Sequence, residues 1–93
     1  MKWLEIIELR SVEKDKNTLA IQIEKMLREV ERELKVGSVR SYRRVLIETD
    51  FSIHLFHETE NMETSGSETG LRLVAVLRDF GLVNHTTWTE TRY

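Results

Sequence analysis

Trp3-Leu4-Glu5-Ile6-Ile7-Glu8-Leu9-Arg10 is the stretch on which the architecture turns. Its large apolar side chains fall on both parities, which a strand with one wet face avoids. The run is also too short for an amphipathic helix, so it predicts a central strand covered on both sides. Phe51-Ser52-Ile53-His54-Leu55-Phe56 has the same character and predicts a second central strand. Arg43-Arg44-Val45-Leu46-Ile47 predicts a strand before it, with the hairpin turn at Thr49-Asp50. The more polar, Thr-rich run Val83–Thr91 predicts a last strand.

Between these runs the periodicity changes. Leu19, Ile23, Met26, Leu27, Val30 and Leu34 form one helical stripe. Asp15 and Asn17 are candidate N-caps for it, and Gly37 a candidate C-terminal cap. Glu24 with Arg28, and Glu31 with Lys35, are i, i+4 pairs in the favourable orientation. Leu73, Val76, Leu77 and Phe80 make a second stripe, widened by Leu71 and Val74. Ser65 and Glu68 have capping-box spacing, Ser67 is the alternative N-cap, and Gly81 with Leu82 suits a C-terminal cap.

Composition narrows the function classes. There are 14 Lys and Arg against 16 Asp and Glu, and the densest basic cluster is Arg40, Arg43 and Arg44, so nucleic-acid binding is disfavoured. Zero cysteines exclude disulfides, thiolate nucleophiles and Cys-ligated metals. Glu5 and Glu8 interrupt any apolar signal core near the start, and no apolar run is long enough to span a bilayer. The expectation is a single α+β domain over residues 1–93 in the cytoplasm, with no nucleic acid and no membrane as partner.

The element order strand-helix-strand-strand-helix-strand, with right-handed crossovers, gives the split β-α-β or ferredoxin-like arrangement. Its four-stranded antiparallel sheet has order 4-1-3-2, with both helices on one face. The two most apolar strands are then central, and the edges carry the Arg and Thr residues that discourage edge pairing. In the third strand Phe51, Ile53 and Leu55 suit the helix side, leaving Ser52, His54 and Phe56 opposite. Leu4 and Ile6, and Val45 and Ile47, suit the helices in the first two strands. The open face then holds Trp3, Glu5, Ile7, Leu9, Tyr42, Arg44, Leu46 and Glu48. If Val83 faces the helices, Trp88 joins the open face and His85 does not. So much exposed apolar surface predicts a homo-oligomer, most simply a dimer packed sheet against sheet.

In element order, apolar central strands and apolar open face, residues 3–91 resemble the dimeric α+β barrel superfamily. That superfamily includes cofactor-independent monooxygenases, haem-degrading oxygenases, stress-induced barrel proteins and sensor domains. Asn84-His85-Thr86-Thr87-Trp88 holds residue types that its enzymes use inside the barrel, in no spacing that transfers a role.

The ligand-binding candidates are Glu5, Arg44, His54 and Trp88. His54 on an apolar strand reads as a proton-transfer or ligand-orienting group with Glu5 or Glu48 as partner, or as an interface histidine. Arg44 suits a carboxylate ligand or an interfacial ion pair. Trp88 suits stacking on an aromatic ligand or packing in the dimer. His54 and His57, three apart in a strand, point to opposite faces and make a poor metal pair. No nucleotide, dinucleotide, serine-hydrolase or zincin motif is present, and no metal or cofactor is expected. The leading expectation is a self-associating binding protein. The alternatives are a monooxygenase-like enzyme, or a ligand-sensing module, with its pocket on the open face.

Overall fold

The computed structural model of the chain describes residues 1–12, 16–34 and 38–91. The elements are β1 (Lys2–Ser11), α1 (Lys16–Glu33), β2 (Val39–Arg43), β3 (Asp50–Glu58), α2 (Glu68–Leu77) and β4 (Gly81–Thr89). The sheet order is β2-β3-β1-β4 with every neighbour antiparallel, the expected ferredoxin-like arrangement. Leu19, Ile23 and Val30 of α1 and Leu73, Val74 and Leu77 of α2 share one core with Ile7, Leu9, Ile53 and Leu55 of the sheet.

The stripe of α1 is as anticipated, with Met26, Leu27 and Leu34 packed against its edge. Asn17 lies inside this helix, not at its N-cap. Asp15, Lys35 and Gly37 lie outside the described residues. Glu24 and Arg28 form the anticipated pair at 2.5 Å. Ser67 is the N-cap of α2, its hydroxyl accepting from the Gly70 amide at 3.0 Å. The buried stripe of α2 is Gly70, Leu73, Val74 and Leu77, so Leu71 and Val76 face solvent. Gly81 does not cap this helix. It opens β4 against β1, where a Cβ would sit 2.1 Å from the Arg10 carbonyl oxygen. Close backbone approach therefore requires the glycine, and Leu82 is exposed.

Two expectations about the strands are overturned. In β1 the helices cover Trp3, Glu5, Ile7, Leu9 and Ser11, while Leu4 and Ile6 lie on the open face. Register explains the parity: Glu5 opposes Leu55, Ile7 opposes Ile53 and Leu9 opposes Phe51, and directly opposed residues share a face. Burying Trp3, Ile7 and Leu9 gains about 1.5–3 kcal/mol each, more in total than Leu4 and Ile6 could offer. The cost is a carboxylate under the helices, and hydrogen bonds offset it.

The other correction concerns β2, which occupies 39–43 instead of 43–47. Only Val39 of this strand is buried, so the helices cover just that end of the edge. A ladder through Val45–Ile47 would gain no apolar cover there. Those residues instead lie in the connection from Arg44 to Thr49, closed by amides of Arg44, Ile47 and Asp50. Val45 and Leu46 are 82% and 96% exposed, and Leu46 has φ of 67°.

Candidate functional site

The open face is graded along the strands. Leu4 lies between Phe56 on β3 and Trp88 on β4, an apolar row at one end of the sheet. The next row is Arg40, His54, Ile6 and Thr86, followed by Tyr42, Ser52, Glu8 and Asn84. Asp50, Arg10 and Leu82 close the far end. Val83 and His85 take the other parity, so Trp88 is on the open face as conditionally anticipated.

His54 is half-buried between Tyr42, at 4.8 Å between ring centroids, and Phe56, at 6.2 Å. Its Nε2 is hydrogen-bonded to Ser52 Oγ at 2.9 Å. Burial pushes its pKa below the ordinary imidazole value, against the pull of Glu8. Neither anticipated carboxylate meets it, because Glu5 is on the opposite face and Glu48 sits in the β2–β3 connection. Trp88 donates its Nε1 hydrogen to Thr86 Oγ1 at 2.8 Å. Arg44 lies beyond the end of β2 and pairs with Asp50 at 3.2 Å. Of the four candidates, only His54 and Trp88 lie on the open face, on opposite sides of β1 and two residues apart along the strands.

Glu5 belongs to a different constellation, beneath α2. Its side chain is fully buried, and each oxygen accepts two hydrogen bonds. Oε1 takes the Ser67 amide at 2.9 Å and His85 Nε2 at 2.9 Å. Oε2 takes the Ser67 hydroxyl at 2.5 Å and His57 Nε2 at 2.6 Å. β3 supplies His57 and β4 supplies His85, one on each side of β1. The carboxylate also lies at the N-terminal end of α2, where the helix dipole favours negative charge. Burial alone would raise the Glu5 pKa. The bonds from the Ser67 hydroxyl, His57, the Ser67 amide and His85 outweigh it and hold the carboxyl below its ordinary value.

The local sequence is shaped to admit this carboxylate. A Cβ on Gly70 would fall 2.0 Å from Glu5 Oε1. One on Gly66 would fall 2.3 Å from His85 Cε1 and 2.7 Å from Glu5 Oε1, and Gly66 has φ of 100°. Trp3 stacks on the His57 ring at 4.1 Å and 25°, and donates its Nε1 hydrogen to Thr59 Oγ1 at 2.9 Å. The His57 ring is thus held on its face by Trp3 and at Nε2 by Glu5.

His57 also lines a groove of about 670 Å³ at the end of the sheet where β1 begins and β3 ends. Trp3, Leu4, Leu34 and Phe56 supply its apolar walls, and Lys2, Glu58 and Glu90 lie at its rim. Neither His54 nor Trp88 lines it. Among the described residues no His, Asp and Glu side chains are grouped to hold a metal ion, since the Glu5 oxygens bond the two imidazoles separately.

Glu5 lies on the face opposite to the expected one, and no sequence motif joins it with Ser67, His57, His85, Gly66 and Gly70. One signal was available. A glycine inside a helix costs about 1 kcal/mol relative to alanine. Gly70, three residues after a serine cap, therefore asks for a group that needs its space. Comparison with known proteins adds no identity: no protein family, no curated protein and no solved structure matches the chain.

Proposed function

We propose that the protein is a small binding domain that assembles with a second copy through the open sheet face. The observation that carries this reading is the row Phe56–Leu4–Trp88, whose aromatic members are 39% and 54% exposed. Tyr42, 48% exposed, adds to the apolar surface on the same face. Strands about 4.8 Å apart, rising about 3.3 Å per residue, make a face of roughly 500 Å² in projection. That is more than half of the roughly 800 Å² per partner of an ordinary stable interface.

Charge pattern favours a twofold axis along the strands, between β1 and β3. Each residue of β3 then meets, at the same level, a residue of β1 in the other copy. Phe56 packs on the partner's Leu4, and Asp50 meets the partner's Arg10. Within one chain Asp50 and Arg10 already approach at 3.8 Å, so the pairing doubles an existing attraction and opposes no like charges. Light scattering at micromolar concentration tests this directly: twice the 11.0 kDa chain mass is expected. Leu4→Lys, at the centre of the apolar row, should give the monomer with unchanged circular dichroism. A wild-type protein that is monomeric under these conditions overturns the proposal. The enzyme alternative, built on His54 and Trp88, has less support, because Ser52 occupies His54 and neither residue lines the groove.

A further inference from the structure

The groove at the start of β1 is a second feature, formed within one chain; its Leu4 and Phe56 walls also belong to the open face, while Trp3, Leu34 and His57 do not. Among the described residues no buried side-chain nitrogen or oxygen lacks a partner. His57 uses Nε2 on Glu5, and the open space it borders is the groove. Because Nε2 donates its hydrogen to the Glu5 carboxylate, Nδ1 is the ring nitrogen left for a ligand. Behind that ring is the buried Glu5 carboxylate, which accepts four hydrogen bonds, from the Ser67 amide and hydroxyl and from the two imidazoles. The carboxylate fixes the orientation of the imidazole ring beside the groove.

The surroundings select among donors. Lys2 opposes Glu58 across the β1–β3 pair, and Glu33 is bonded to Arg72. Glu90 is held at the rim by its amide on the Lys2 carbonyl, and among the described residues no cationic side chain is bonded to its carboxylate. Among the described residues, an anion entering the groove would meet three carboxylates and one ammonium group. A volume of about 670 Å³ is within the usual range of small-molecule sites, roughly 300–1,000 Å³. Trp3, Leu4, Leu34 and Phe56 provide apolar contact for a ring-sized body.

We propose that this groove is a binding site for a small organic cation, an ammonium group on an apolar or aromatic body, with His57 accepting one of its N–H hydrogens. Glu5 is a positioning residue: it fixes the ring and its tautomer without touching the ligand. The chemistry is recognition, with no covalent step.

Benzylammonium, benzyl alcohol and phenylacetate serve as probes of nearly one shape and three charges. Long-range nitrogen–proton NMR of the imidazole side chains reads their binding to the intact chain. Benzylammonium should shift the His57 Nδ1 resonance saturably, with affinity at least about tenfold above benzyl alcohol, a difference of about 1.4 kcal/mol. Phenylacetate should bind more weakly still. The His54 resonances should stay in place, because His54 does not line the groove. His57→Gln should lose the amine preference. If that variant does not fold, the comparison of three probes on the wild-type chain decides the matter alone. Equal affinity for amine and carboxylate, no saturation by about 10 mM amine, or shifts confined to His54 and Trp88 would each overturn the assignment. A monomeric wild-type protein would remove the dimer proposal and leave this one intact.

Discussion

Gly70→Ala is the sharpest perturbation the buried cluster offers. In an open helix this change stabilises, by up to about 1 kcal/mol. Here the new Cβ would stand 2.0 Å from Glu5 Oε1 and 2.7 Å from its carboxyl carbon, where ordinary contact needs 3.4 Å or more. Either the carboxylate or the start of α2 must retreat by more than an ångström, roughly. Retreat of the carboxylate breaks both bonds to Oε1, from the Ser67 amide and His85 Nε2. Hydrogen bonds to a charged group contribute about 1.5–3 kcal/mol each. The loss is therefore about 3–6 kcal/mol, offset by about 1 kcal/mol of helix propensity, for a net cost of about 2–5 kcal/mol. A chain this size has on the order of 5–14 kcal/mol in all. Urea unfolding measures it: at a slope of about 1 kcal/mol per molar, the midpoint should fall by about 2 M or more. Ala75→Gly, at an exposed position of the same helix, is the control and should cost about 1 kcal/mol. If Gly70→Ala raises the midpoint as a helix-propensity change would, the carboxylate does not fill the space assigned to it.

The remaining predictions concern acid and strain. Because folding lowers the Glu5 pKa, the unfolded chain binds more protons than the folded one between the two values. The stabilisation is complete above the ordinary glutamate pKa and is lost as pH falls through the lowered folded value. Urea midpoints across that acidic range should fall in the wild type and fall less in Glu5→Gln; equal slopes would refute the linkage. His54, lowered by burial, adds a loss of the same sign as pH drops below the ordinary imidazole value, and His54→Phe should remove that part. Leu46 holds a positive φ at 96% exposure, so Leu46→Gly relieves left-handed strain without losing burial. It should stabilise by about 0.5–1 kcal/mol, or roughly 2–8 °C in Tm. An unchanged or lower Tm would contradict the backbone reading.

What the sequence discloses here depends on how local the physics is. The α1 stripe and the Phe51, Ile53, Leu55 parity follow from period alone, and the topology follows from element order. The β1 parity does not. Reading Glu5 as outward is sound until its partners are known, and they lie 52, 62 and 80 residues away. Val45–Ile47 fails for a related reason: strand composition states what a segment would tolerate in a sheet, while the footprint of the helices settles where that edge is covered. Gly81 reads as a cap from its place after a helix, yet the Arg10 carbonyl is what requires it. His54 lies on the expected face, but its hydrogen-bond partner is Ser52, two residues away, in place of Glu5 or Glu48.

Glu5 also acts as a ratchet pin for β1. A strand whose inward side chains were all greasy could slide by two residues against both neighbours and keep its alternation. Such a slide here would set Trp3 or Ile7 against the Ser67 amide and hydroxyl and the two imidazoles, stranding every one of them without water. Only one alignment among β1, β3 and β4 answers all those donors at once. The most expensive side chain to bury is thereby the one that makes the sheet's alignment unique.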